Sequence, residues 1–455
     1  MNILRRQRKI LIKNSVKVAV SFAFILLGAA SLDRSVSFAA PTVLENELTV
    51  PGEDSMNVGI RGDYMVEQQA ALDRINEIRK EACEQGYPDP RDRSKNLTME
   101  DYVPIKWSYE LERYARIRAC EATIYPDHGR PGSNVYKDTN NKYQTGGAEV
   151  LAWPGGTLKG GVEQWYGEKQ TWVTGGQGVT GHYTSMISPS NLYVGLGGFV
   201  AADGLGSSWG ACVSGRFAGK GWIDEPVNEN MAQEFKDIIQ VISIKQAYLS
   251  APVLQQLEFD MSEDENTYLY VDDKTSVNVV RNVSFSATAI GVKEAVVLDL
   301  GSYTYSSSNS DIASVDADGT VIAKKAGSVV ITATDAGGAA YSTTIYVKNY
   351  LDKPKITKTV RNKKQIKVTF KVSEETAYKS NDFQIQAAKN KKFTKGVKKA
   401  TVKPKWASWY KITTKYSKNI TKLSSKGTYF VRVRAYTKRN GKKYYSEWSK
   451  VKKVK

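Results

Sequence analysis

The sequence predicts a multidomain protein: an α+β domain of the αβα sandwich type, followed by two all-β sandwiches. Three observations predict it. Helical stripes run between Leu72 and Val173 and give way to two glycine-rich, strand-like runs. From residue 266 to 349 apolar and polar residues alternate between Asp318-Gly319 and Gly337-Gly338 turns. From Lys353 onward alternation resumes, now with a surface made of lysine. The length of 455 residues points to roughly three domains as well.

The N-terminus stands apart from these domains. Arg5, Arg6, Arg8, Lys9, Lys13 and Lys17 precede a short apolar run from Val18 to Ala30, and Ser37-Phe38-Ala39-Ala40 offers small residues for cleavage. That pattern predicts a secretory signal peptide over residues 1–40, with an apolar run too short to span a bilayer comfortably; an uncleaved signal anchor is the alternative. No later segment is apolar enough to cross a membrane. The expected location is extracellular, secreted or wall-associated.

Residues 41–62 read as a polar, irregular N-terminal extension. A first helix carries Leu72, Ile75, Ile78 and Ala82 at three- and four-residue steps. A second begins after Ser108, a good N-cap, and carries Leu111, Ala115, Ala119 and Ala122. A third is expected from about Gly161 to Val173. Tyr193–Phe199 and Trp209–Val213 then read as strands, which ends the first domain at 63–222. A helical, mixed segment is expected around 230–257, within a connecting stretch of 223–262. The second domain spans 263–349 and the third 353–455. In the third, Tyr429, Val431, Val433 and Ala435 are expected to face inward while Arg432 and Arg434 point out.

Charge divides the chain more sharply than its net +18 suggests. From Lys353 to the end there are 32 Lys and Arg against four acids (Glu374, Glu375, Asp382, Glu447), a balance of +28. The preceding 352 residues carry 33 basic and 43 acidic side chains, a balance of −10. Such a tail matches polyanions: an anionic cell-wall polymer, an anionic lipid surface or nucleic acid. The interleaved Trp406, Trp409, Tyr410, Tyr416, Tyr444, Tyr445 and Trp448 suit either carbohydrate stacking or the core of the sandwich. Export makes a wall polymer the expected partner and specific nucleic-acid binding an unexpected one. Three cysteines, Cys83, Cys120 and Cys212, are too few for a disulfide scaffold and odd in number, and their spacing is not that of a zinc-thiolate site. Either Cys83 pairs with Cys120 or all three are buried free thiols.

Only two histidines occur, His128 and His182, and each lies near a glutamate, Glu149 or Glu168. On a continuous helix Trp165, Glu168 and Trp172 would share one face, where a carboxylate is costly unless paired, hydrogen-bonded or metal-bound. Asp127-His128-Gly129-Arg130-Pro131 is turn-like, and Gly181-His182 follows the linker Gly175-Gly176-Gln177-Gly178, so both imidazoles are expected on loops. If the four meet, two nitrogen and two oxygen donors suit Zn2+ or another divalent cation.

These residues carry a resemblance. Leu111…Ala115 to Glu121 ahead of His128-Gly129-Arg130-Pro131, then Gly147-Ala148-Glu149, Trp165…Glu168 and Gly181-His182-Tyr183-Thr184 resemble the CAP family of cysteine-rich secretory, antigen 5 and pathogenesis-related 1 proteins. Ala148 and Val150 flank Glu149 where the family often has Gly and Asn. The resemblance implies a cleft built from His128, Glu149, Glu168 and His182, with a divalent ion held between the histidines in some members. Tyr305–Asn309, Ile312–Asp316, Asp318-Gly319-Thr320-Val321 and Ala326-Gly327 resemble a bacterial Ig-like domain of group 2. Leu423, Gly427, Tyr429–Tyr436 and Trp448-Ser449 resemble a fibronectin type III domain.

Two readings of the cleft follow. It binds a small or lipid-like ligand without catalysis, since no residue is established as a nucleophile. Alternatively it is a metal-assisted hydrolase of peptidase or esterase type, with Glu149 or Glu168 as general base.

Overall fold

The structure, a computed structural model, describes residues 41–46, 51–132, 148–153, 156–202, 210–233, 235–256, 268–288, 291–408, 411–439 and 441–455. The expected signal peptide, Gly147, Trp209, Trp409 and Tyr410 lie outside them. Two units divide the chain, one covering residues 40–348 and the other containing 349–455.

The first unit is organised by a strand that the sequence reading left outside the fold. Residues Ser55–Tyr64 form β1, with Val58, Ile60 and Tyr64 buried at two-residue spacing. This strand pairs with β3 (Tyr193–Ala201), β5 (Ile238–Lys245) and β7 (Gly291–Asp299). The expectation of an irregular extension at 41–62 is therefore corrected. So is the helical segment at 230–257: a run of Ile238, Ile239, Val241, Ile242 and Ile244 forms a strand instead. Continuous β-branched residues fit a pleated, buried surface better than a helix, and a short apolar run does not reveal its period.

The helices form as the caps and stripes predict. α1 (Gln68–Glu84) buries Ala71, Ile75, Ile78 and Ala82. α2 (Tyr109–Ile124) starts at Ser108, whose side chain accepts from the Leu111 N–H. The third expected helix is broken into α3 (Leu158–Tyr166) and α4 (Lys169–Thr174), with Gly167 and Glu168 between them. α5 is Gly181–Ile187.

These helices sandwich a sheet whose strands run in the order β2 (Ala148–Ala152), β4 (Ala211–Ala218), β3, β1. On one face α1, α3 and α5 pack around Trp165, Val194, Leu196, Val213 and Phe217. On the other, α2 lies directly on β3 through two glycines. A Cβ at Gly195 would sit 2.1 Å from the Glu112 nitrogen, and one at Gly197 would sit 2.2 Å from the Arg116 nitrogen. No other residue permits this approach, so the glycine-rich run is a packing surface for a helix backbone.

The same sheet continues through β1 into β7, β6 (Lys274–Thr288), β10 (Thr320–Ala323) and β9 (Ala313–Val315). A second sheet holds β8 (Tyr303–Ser307), β11 (Gly327–Asp335) and β12 (Ala340–Lys348), with Tyr268–Tyr270 parallel to β12. Val277, Val279, Val321, Ile331 and Ile345 fill the space between the sheets. Gly319 at the predicted turn has φ 82°, the left-handed region that favours glycine. A further core joins Ile60, Ala119, Phe199, Ile242, Val283 and Val297, so α2, β1 and the strands of the sandwich share buried surface.

The second unit is a two-sheet sandwich. One sheet is β13 (Lys355–Asn362), β14 (Gln365–Lys371) and β17 (Lys415–Ile420). The other is β16 (Lys398–Val402), β15 (Asp382–Ala388), β18 (Tyr429–Arg439) and β19 (Lys442–Tyr445), with β20 (Lys452–Val454) on β18. Tyr429, Val431, Val433 and Ala435 are buried as expected. Arg432 and Arg434 face the other way, bonded to Gln386 and Gln384, each with its guanidinium over the Trp448 ring. Among the described residues no helix is long and apolar enough to cross a membrane.

Candidate functional site: a paired histidine and glutamate cleft

α2 supplies the foundation of the site through Arg118, a guanidinium that is 1% exposed. It stands on the same helical face as Ala115, Ala119 and Ala122. A buried charge of this kind must be paired. Arg118 donates from Nη2 to the Gly129 carbonyl at 2.9 Å and to the Asp127 carbonyl, and from Nε to Glu149 at 3.3 Å. Arg130 grips Glu121 with two nitrogens, at 2.8 and 2.5 Å, one turn along the helix. The Gly129 N–H donates to the Asp127 carboxylate at 2.8 Å. The loop carrying His128 is thus tied to α2 from both sides.

Glu149 lies on β2, directly opposite Arg216 of β4. One of its oxygens is 3.5 Å from Arg216 Nη1, and the other is 3.0 Å from His128 Nδ1. Burial works to raise the Glu149 carboxyl, but the His128 hydrogen bond and the charges of Arg118 and Arg216 outweigh it and hold it below the ordinary range.

The second pair forms at the break between α3 and α4. Glu168 does not sit mid-helix between Trp165 and Trp172; the chain stops being helical just before it. Its Oε1 is 2.5 Å from His182 Nδ1, and its Oε2 accepts the backbone N–H groups of His182 and Tyr183 at 3.1 Å each. His182 lies in the first turn of α5, not on a flexible rim, and Glu168 satisfies donors that this turn leaves without helical partners.

The four predicted residues do meet. The two imidazole rings face each other with centroids 6.3 Å apart and planes 24° from parallel. His128 is 60% exposed and His182 22%, while Glu149 and Glu168 are 17% and 16% exposed. Each carboxylate is committed to the Nδ1 of its own histidine, an arrangement that fixes the tautomer and leaves Nε2 as the lone-pair nitrogen. Among the described residues no cluster of three or more His, Cys, Asp or Glu is arranged to hold a metal. The donors left uncommitted in the cleft are the Nε2 nitrogens of His128 and His182, while Glu149 and Glu168 are spent on orienting the rings. They do not make a four-ligand site.

Sequence reasoning missed Arg118 and Arg216 as parts of the site. The signal for Arg118 was present, an arginine on an alanine-lined helix face. Arg216 had none, because only strand pairing sets it across from Glu149. The cysteines contribute nothing to the cleft. All three are buried and free, with Cys83 and Cys120 in separate cores, so the Cys83–Cys120 pair does not form.

The first unit is a three-layer α+β domain with a paired His/Glu cleft, continued into one β-sandwich, and the second unit is another sandwich. Residues 72–214 match the family model of the cysteine-rich secretory protein family, CAP, and the chain carries a CAP domain over that span. Residues 300–337 match the immunoglobulin-like domain of intimin. Among solved structures, similarity extends to PhoD at 14% identity, covering 22% of this chain and 17% of that one, with a TM-score of 0.15. An intimin mutant from EHEC O157:H7 shares 22% identity over 25% of this chain and 53% of that one, with a TM-score of 0.16. The FN1–FN3 domains of chicken CNTN1 share 11% identity over 57% of this chain and 93% of that one, with a TM-score of 0.18. The chain thus spans under a fifth of PhoD and about half of the intimin chain. No curated protein matches it.

Proposed function

We infer that the chain is an exported surface protein whose CAP domain binds a small or lipid-like ligand between His128 and His182, while its basic domain attaches it to an anionic wall polymer. The observation that carries the cleft reading is the double Nδ1–carboxylate pairing across facing rings. It commits both carboxylates to orientation. A hydrolase would need one of them free to take a proton from water, and Glu149 is held by two arginines while Glu168 already accepts three hydrogen bonds. Among the described residues no hydroxyl or thiol is bonded to either imidazole, so no activated nucleophile stands beside them. A divalent ion, when bound to the two Nε2 atoms, would supply Lewis acidity and a further point of attachment for an oxygen-bearing ligand. Export rests on the basic and apolar pattern of residues 1–40, and wall attachment on the +28 balance of the last domain.

Zinc titration calorimetry on the chain from residue 41, wild type against His182→Ala, tests this reading together with a screen of ester and peptide substrates. About one ion per chain, lost in the variant, is expected if the cleft is a two-histidine metal site. No heat in either protein leaves a polar cleft and directs effort to ligand capture. Turnover abolished by His128→Ala would overturn the binding reading in favour of catalysis.

A further inference from the structure

We propose that the outer face of the β13–β14–β17 sheet is the docking surface for a linear polymer of phosphodiesters without bases, of the teichoic type found in bacterial walls. This rests on the reading of the basic domain as an anchor and locates it on one face. Strand register sets Lys355, Lys371 and Lys415 directly opposite one another, one lysine from each of the three strands. The next row is Lys358, Thr369 and Ser417, where the two hydroxyls are hydrogen-bonded at 2.8 Å. The row after it places Val360 and Asn419 on either side of Lys367. All five lysines are exposed, and none forms an ion pair with a described carboxylate.

Like charges directly opposite on a sheet repel, so a three-lysine row is unfavourable until an anion lies over it. Lysines on edge strands have another use, discouraging strand-to-strand aggregation. That use accounts for β13 and β17 but not for β14, the central strand, which carries Lys367 and Lys371.

The geometry selects the kind of anion. Adjacent lysines in the row are about 4.8 Å apart at the backbone, and Lys367 lies about 13 Å along the strand from Lys371. Ammonium groups on flexible stems bind phosphate as point charges and impose no planar fork. They suit a flexible polymer with no fixed register. No aromatic side chain belongs to these rows. Phe370 and Tyr416, the rings on β14 and β17, are buried in the core and stacked on each other at 5.7 Å. The face therefore lacks the stacking platform by which single-stranded nucleic acids are held.

The test compares the whole chain with two triple variants of equal charge. One is Lys355→Gln/Lys371→Gln/Lys415→Gln; the other is Lys398→Gln/Lys399→Gln/Lys443→Gln, exposed lysines on the opposite sheet. Binding to immobilised poly(glycerol phosphate) is measured by interferometry at several NaCl concentrations, with oligothymidylate of equal phosphate number as competitor. Melting curves establish that both variants fold. The row variant is expected to lose about ten-fold or more in affinity and to flatten the log–log salt slope by about 2, since each lost phosphate contact removes roughly 0.7 to 0.9. The control should change by less than about three-fold. Equal losses in both variants would overturn the face while leaving a diffusely cationic anchor. Oligothymidylate binding far more tightly than poly(glycerol phosphate) would overturn the choice of polymer. No binding by the wild type would remove the anchor reading itself.

Discussion

Glu168 holds His182 with both of its oxygens, one on the ring Nδ1 at 2.5 Å and the other on the backbone N–H at 3.1 Å. One carboxylate therefore sets the histidine's tautomer and anchors the helix that carries it. Glu168→Gln is expected to shift His182 from the Nδ1–H form toward the Nε2–H form, read from imidazole 15N shifts at pH 8. Where zinc binds, its affinity should fall about 10- to 100-fold, as for other lost partners of metal-bound histidines. Unchanged 15N shifts would sink the orienting role.

Gly197 lets α2 lie on β3, and a methyl group there would meet the Arg116 backbone at 2.2 Å. Gly197→Ala should destabilise the first unit by about 3 kcal/mol through overpacking. A urea midpoint within error of the wild type would show that the helix yields at no cost.

The strand Ser55–Tyr64 pairs with three neighbours and buries Val58, Ile60 and Tyr64. A chain beginning at Met65 is expected to be insoluble or protease-sensitive, although it retains all of residues 72–214. Recovery of a soluble, cooperatively melting protein would refute the central role of β1.

Burial pushes the Cys212 thiol up to about 12 and the Cys120 thiol well above its ordinary 9.0. Neither forms a thiolate in the folded protein at pH 8, so a thiol reagent should modify them only after unfolding. Linkage gives the sign for stability: between pH 9 and about 12 the unfolded chain releases protons that the folded one keeps, so stability falls as pH rises. Cys212→Ala should reduce that alkaline loss. Fast labelling of the native protein at pH 8 would contradict the buried assignment.

The buried Arg118 ties the His128 loop to α2 and faces Glu149. Arg118→Met should cost roughly 3–5 kcal/mol, the usual penalty for orphaning a buried charge partner. The His128 amide resonance should also broaden or shift. A stable variant with His128 unmoved would show that the loop is held without it.

Much of the architecture is legible in local pattern. The stripe of Ile75, Ile78 and Ala82, the Ser108 cap and the alternation from Tyr429 to Ala435 each describe which face of an element is buried, and burial is a property of period. The same reasoning fails at Glu168, where period suggests one helix but the helix breaks at Gly167. It fails again at 238–245, where a buried strand reads like a buried helix.

Residue type alone was enough to name the four residues that gather in the cleft and the concentration of positive charge after Lys353. Residue type and spacing carry that information without coordinates. Folding in three dimensions makes β1 central, brings Arg118 and Arg216 to Glu149, and gives each glutamate its own histidine's Nδ1. Those relations join residues far apart in the chain through strand register and helix packing, and no local period encodes a partner.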